Sequence, residues 1–293
     1  MSYHFVEMRT FAALLLLSLP LAALSAVTGS LVGLYHIPGD VSQCDLIRID
    51  LSTGANTTLF SKVGACTALT TNFPSYSAAG PPGTLLVATE SAASVFSVDL
   101  SGGTTTPLGK IANNASDIMT GLAHWGNGIT VVTTQYGVWN ATDPGQNDLL
   151  LPLSGADAVG EGFVFAGPWP TLYVVDEASS NILLVNVEAA TLEHVSGLNS
   201  PIGSVLNGKE LLQEKGYVLY VTPAGGGSAK KVLNIPDGPG YPRTNGMAGT
   251  GYWWFFDFAN LQVADLKAKT VAIVGDGFVA APRGMGFPIY VPA

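Results

Sequence analysis

Apolar residues in this chain fall in short alternating runs, each closed by Asp, Asn, Gly or Pro. Alternation sends successive side chains to opposite faces of an extended strand, and the closing residues favour turns. One element recurs: Leu46-Ile-Arg-Ile-Asp50, Val95-Phe-Ser-Val-Asp99, Ile182-Leu-Leu-Val-Asn186 and Leu261-Gln-Val-Ala-Asp265. Weaker copies end at Asn140 (Tyr136-Gly-Val-Trp-Asn140) and at Thr222 (Tyr217-Val-Leu-Tyr-Val-Thr222). The closing positions 50, 99, 140, 186, 222 and 265 are spaced by 49, 41, 46, 36 and 43 residues, a mean of about 43. A second apolar run precedes each copy, at 31–37, 84–89, 129–134, 171–175, 209–213 and 251–256. Helical periodicity is nearly absent; only Glu188–Val195 and Lys209–Lys215 could pass for single helical turns.

A repeat of about 40–50 residues built from short strands is the mark of four-stranded propeller blades. The reading is therefore an all-β fold, a six-bladed β-propeller of four-stranded antiparallel blades. The preceding runs are the second strand of each blade and the copies end the third. Each closing Asp or Asn opens a hairpin to the fourth strand, its short side chain bonding the backbone two residues on. The segment Arg283–Phe287 followed by Ile289-Tyr-Val reads as an innermost strand without a blade, and the region from Ser30 as outer strands without an innermost one. Joining them closes the ring and removes an exposed sheet edge. A pair of β-sandwiches is the rival fold, but it predicts no 43-residue repeat.

The apolar stretch from Phe11 to Val27 changes the compartment. It follows Arg9, is shorter than the roughly 20 residues of a membrane span, and ends near Ala23 and Ser25, as a secretory signal peptide does. Residues 1–25 are expected to be the leader and 26–293 a single propeller domain. An uncleaved anchor is the competing reading. No later segment approaches membrane length. Three sequons, at Asn56, Asn114 and Asn140, fit that route as glycan acceptors. Asn56 and Asn140 fall where the repeat places rim hairpins, and Asn114 where it places a loop between blades. The chain has two cysteines, Cys44 and Cys66. They sit at the start of the third strand and after the fourth strand of blade 1, neighbours across a hairpin, and an oxidising lumen favours a disulfide between them. Secretion is the expected localisation, with a lysosome or vacuole lumen as the alternative, and a monomer the expected state.

The sequence has 12 basic and 21 acidic residues, a net charge of −9. This argues against a nucleic-acid partner, which needs clustered cations. Acidic residues end several second strands: Glu90, Asp176, Glu214 and Asp257. Such a ring at a channel mouth could hold Ca²⁺, which takes six to eight oxygens, or each acid could cap its own turn. His36, His124 and His194 lie in or beside strands and read as structural, and the glycine run at 224–228 reads as a loop. The aromatic block Tyr252–Phe258 reads as core with a part exposed.

Gly160-Glu161-Gly162-Phe163-Val164-Phe165, followed by Leu172–Asp176 and Ile182–Asn186, resembles the opening blade of the SMP-30/gluconolactonase propellers. Pro236-Asp237-Gly238, then Asn245-Gly246 and Tyr252–Phe255, resembles a later segment of that group and of its strictosidine-synthase-like relatives. The likeness covers about 70 residues, and Leu-Tyr-Val-x-Asp is shared with propellers of the NHL and YVTN types. It implies that Glu161 is a metal ligand, although Phe163 stands where the family has Pro and the motif falls in the fourth blade. Candidate ligand-binding residues are thus Glu90, Glu161, Asp176, Asp257 and Asn245. Two functions follow. One is a non-catalytic propeller binding an extracellular ligand, glycan or protein. The other is a Ca²⁺-dependent lactonase or esterase-like hydrolase.

Overall fold

The computed structural model describes residues 29–37, 40–63, 76–89, 94–110, 119–143, 146–154, 162–176, 181–199, 201, 203–235, 243–246, 252–257, 260–275 and 289–291. They form six four-stranded antiparallel sheets. Blade 1 takes β1 (Ser30–Ile37), β2 (Asp40–Asp50) and β3 (Asn56–Val63); blade 2 is β4 (Tyr76–Ala79), β5 (Thr84–Thr89), β6 (Ser94–Asp99) and β7 (Thr105–Lys110). Blade 3 is β8 (Met119–His124), β9 (Thr130–Thr134), β10 (Gly137–Asp143) and β11 (Gln146–Pro152). Blade 4 is β12 (Gly162–Ala166), β13 (Thr171–Asp176), β14 (Asn181–Asn186) and β15 (Thr191–Ser196). Blade 5 is β16 (Gly203–Asn207), β17 (Glu210–Lys215), β18 (Val218–Pro223) and β19 (Lys230–Asn234). Blade 6 is β20 (Arg243–Gly246), β21 (Tyr252–Asp257), β22 (Asn260–Asp265) and β23 (Thr270–Gly275), and β24 (Ile289–Val291) ends the chain.

Closure follows the expected route. β24 pairs with β1 through Ser30↔Val291, Leu31↔Tyr290 and Val32↔Ile289, so the chain end supplies the innermost strand of blade 1. Arg283–Phe287 lies outside the described residues.

The second strands of blades 2, 4 and 5 bury apolar residues on both faces because a neighbouring blade packs on each side. Leu85 packs with Val32 and Leu46 of blade 1, while its neighbour Leu86 packs with Met119, Leu122 and Val132 of blade 3. Val174 and Val175 divide in the same way between blades 3 and 5, and Leu211 and Leu212 between blades 4 and 6. Adjacent residues on a strand point to opposite faces, which turns a two-residue apolar run into two blade joints.

The hairpin reading holds at the level of single bonds. Asp50 Oδ1 accepts from the Ser52 and Thr53 N–H groups, each at 2.9 Å. Asp99 Oδ1 accepts from Ser101 N–H at 2.8 Å, Asn186 Oδ1 from Ala189 N–H at 2.9 Å, and Asp265 Oδ1 from Ala268 N–H at 2.7 Å. These hairpins pack on the preceding blade: a Cβ on Gly103, whose φ is +66°, would lie 2.2 Å from Phe60 of β3. Only glycine meets both demands there.

Two expectations change, at Asn140 and at Cys44. Asn140 does not open a hairpin; β10 runs on to Asp143, with register shifts on either side of the pairs Trp139↔Leu149 and Asn140↔Asp148. The bulge lets the strand continue through residues that elsewhere make the turn. The strand expected at 209–213 is β17, and residues 188–195 form a turn leading into β15 with no helical turn. Cys44 lies inside β2, opposite His36 and Val63, because β2 starts at Asp40; Cys66 is outside the described residues. Among the described residues no helix is long and apolar enough to cross a membrane.

Candidate binding face

Antiparallel order puts the ends of the second and fourth strands, and the starts of the first and third, at one end of every blade. The connections between blades reach the same end. Of the residues expected to form a site there, Glu90 and Glu161 lie outside the described residues. Asp176 is the last residue of β13, half-buried, directly opposite Gly162, the residue after Glu161. Asp257 is the last residue of β21, and Asn245 sits on the neighbouring innermost strand opposite Trp254. The fold thus puts Asp176 and Asp257 at the same end of the ring, in blades 4 and 6, and places Asn245 away from that end, midway along blade 6. Among the described residues no three His, Cys, Asp or Glu side chains gather as a metal site.

Glu214 follows the capping alternative. It is fully buried, one residue before the end of β17, and its Oε1 accepts from Tyr217 N–H at 3.3 Å. Gly216 and Tyr217 both have positive φ, 56° and 62°, the signature of a two-residue type I′ hairpin. Glycine takes that conformation freely, whereas tyrosine does not, and the buried carboxylate helps to hold Tyr217 in it. The Tyr217 carbonyl then accepts from Ile235 N–H at 2.7 Å, joining the turn to the end of β19. Beside it, Lys215 Nζ donates to the Asn199 carbonyl at 2.6 Å. The corresponding turn of blade 3 exposes Tyr136 by 49 %.

The sequence reading missed a polar group in the joint between blades 4 and 5. Leu211 of β17 is buried there against Val175 and Ile182, so Gln213, two residues along, faces the same way. Ser204 is opposite Gln213 and Thr222 is opposite Leu211, which places all three on the blade 4 side. Gln213 Nε2 donates to Ser204 Oγ at 3.2 Å. Gln213 Oε1 and Thr222 Oγ1 are buried with no hydrogen-bond partner. A buried unpaired polar group costs about 1–3 kcal/mol. The only hint in the sequence was Gln and Glu closing the run Leu-Leu-Gln-Glu, where blades 2 and 4 have Val and Ala or Val and Val.

The opposite end of the ring carries chemistry of another kind. Trp125, 6 % exposed, donates from Nε1 to the Gly167 carbonyl of blade 4 at 2.9 Å. It meets Trp169 edge to face with ring centroids 5.4 Å apart, and Trp169 remains 41 % exposed. His124, the last residue of β8, shares a 2.9 Å hydrogen bond with Thr130 Oγ1 across the strand pair. Burial pushes its imidazole below the ordinary range, which fits a structural, neutral ring.

No family model and no curated protein sequence matches this chain. Solved structures do. A chain of the nidogen/laminin complex superposes with a TM-score of 0.65 over 90 % of this chain and 98 % of its own, at 13 % identity. A streptogramin B lyase gives 0.59 over 85 % and 84 %, at 14 % identity. A virginiamycin B lyase of Staphylococcus aureus with quinupristin gives 0.57 over 84 % of each chain, also at 14 % identity. Similarity at this level of identity is similarity of fold, and the fold is a β-propeller.

Proposed function

We propose that this chain is a secreted propeller that binds an extracellular partner or ligand on the face carrying its second-to-third-strand turns, without catalysis. One observation carries the reading. The carboxylate whose contacts are described at that face, Glu214, is fully buried and bonds the backbone of its own turn through Oε1. The exposed Tyr136 in the matching turn of blade 3 gives the face an aromatic contact of the kind that dominates binding surfaces. One of the similar folds comes from a complex between two proteins, which is consistent with such a role. A cleaved leader over residues 1–25 and a Cys44–Cys66 disulfide belong to the same proposal.

The alternative, a Ca²⁺-dependent lactonase or esterase-like hydrolase with Glu161 as metal ligand, makes a separate demand. A channel metal would polarise a carbonyl and activate water. It would also stabilise the native state, since a ligand that binds only the folded chain raises its apparent stability. Thermal melting across a Ca²⁺ titration to millimolar concentration tests this directly. The binding reading expects an unchanged midpoint and no turnover of lactone or ester probes. A rise of several degrees, lost in Glu161→Gln, would overturn it in favour of the hydrolase.

A further inference from the structure

Two sequons of the same form, Asn-x-Thr, fall on described strands, and the fold treats them in opposite ways. Asn56 is the first residue of β3, the outermost strand of blade 1, just after the hairpin that Asp50 caps. Asn56, Thr57 and Thr58 are all exposed, so the acceptor amide and the hydroxyl two residues on both face water. Asn140 lies inside β10, laddered on one side to Val131 and on the other to Asp148. It is half-buried, and its register partner Val131 packs in the joint with blade 4. Asn140 Oδ1 accepts from Thr142 N–H at 3.0 Å. Thr142 Oγ1 in turn accepts from Thr130 N–H at 3.1 Å and donates to the Thr130 carbonyl at 3.4 Å. The residues that make 140–142 a sequon are the ones that lock the β10 bulge to β9.

We propose that the mature chain carries an asparagine-linked glycan at Asn56, and that the fold consumes the sequon at Asn140, which stays unmodified. The proposal rests on the secretory reading above. In the transfer, Asn56 Nδ2 bonds to the anomeric carbon of a lipid-linked oligosaccharide diphosphate. The carbon–oxygen bond to the diphosphate breaks, the lipid diphosphate leaves with that electron pair, and the amide loses one proton. At Asn56 the bulky, solubilising product projects from a hairpin edge into solvent. At Asn140 the same product would have to leave from a half-buried position on the sheet face turned towards blade 4 and displace the Thr142 contact. Any chain modified there before folding could not close blade 3 on blade 4.

The test is peptide mass mapping of the full chain secreted from a eukaryotic host, with enzymatic glycan release in ¹⁸O water to mark former glycan sites. The Asn56 peptide is expected to carry the mark at occupancy at least tenfold above the Asn140 peptide. Asn56→Gln should abolish that mark without moving the melting midpoint, whereas Asn140→Gln should leave it in place and lower the midpoint. A second version with a proven secretory leader ahead of Met1 distinguishes failure of the native leader from failure at Asn56. If only this version enters the lumen and is marked at Asn56, the native leader fails and the site assignment stands. A luminal chain bare at Asn56, or marked at Asn140, overturns the assignment.

Discussion

Blade 4 meets its two neighbours through joints of the same repeat but of opposite character. Towards blade 3 it buries Leu172, Val174, Leu183, Val185 and Val187 against Ala123, Trp125, Val131, Val138 and Leu153. A tryptophan hydrogen bond crosses that joint, and Gly121 lets Val164 approach so closely that an added Cβ would lie 2.2 Å from it. Towards blade 5 the buried apolar set shrinks to Val175, Ile182, Leu211 and Ala224, and Gln213, Ser204 and Thr222 share the same face. The first joint is arranged for cohesion. The second gives up cohesion for polar groups, of which Gln213 Nε2 and Ser204 Oγ bond each other while Gln213 Oε1 and Thr222 Oγ1 have no partner. Buried polar atoms without partners cost stability, so this joint holds its two blades less firmly than the first.

The largest change is expected on the blade 3 side. Leu172→Ala removes a fully buried side chain from a joint closed on every side, so little collapse can fill the space. The expected loss is about 3–4 kcal/mol, read as a fall in the denaturant midpoint at unchanged slope. A loss below about 1 kcal/mol would mean that the blades slide together to heal the cavity. The joint would then be softer than its packing implies.

The blade 5 side is sharpened by a change in the other direction. Thr222→Val keeps the shape of the side chain and removes a buried hydroxyl that has no partner. It should stabilise the protein by about 1 kcal/mol, visible as a melting midpoint higher by about 2–4 °C. Destabilisation instead would show that Thr222 Oγ1 is engaged in solution, by a bound water or ligand reaching into the joint. That result would make this joint, rather than the ring of strand-end acids, the place to look for an occupant.

These joints also show what a sequence can and cannot disclose about such a fold. Asp50, Asp99, Asn186 and Asp265 were legible because an Asx turn is decided within three residues, and the side chains bond where the pattern places them. The second strands were legible because a period of two is equally local. Asn140 misled because a bulge and a hairpin opening use the same residue types; which one forms depends on β9, whose Thr130 ties down Thr142. Gln213 and Thr222 gave almost no signal, since what makes them unusual is the face they share, set by blade 4 some 40 residues earlier. The pair Trp125 and Trp169 was invisible for the same reason. Glu214 read as one more strand-end acid, and only the positive φ of Tyr217 shows why it is there.

The smallest expected effect lies far from either joint, on the exposed hairpin of blade 1, and serves as the control for both. Hydrogen bonds from the Ser52 and Thr53 hydroxyls hold the Asp50 carboxyl below its ordinary range, aided by the two backbone N–H groups. A carboxyl whose folded value is lowered releases its proton more readily in the native state. Its contribution is therefore complete above the unfolded value, near 3.9, and disappears as pH falls through the lower folded value. Because the group is almost wholly exposed, solvent limits the effect to a few tenths of a kcal/mol. Asp50→Asn keeps an acceptor oxygen but no charge. The stability difference between wild type and Asp50→Asn, measured by urea denaturation, should be small and constant from pH 7 to 5, then shrink below about pH 4. Leu172→Ala and Thr222→Val should show no such pH dependence, since neither side chain titrates. A difference that grew on acidification would mean that the hairpin carboxyl is held by contacts other than those four donors.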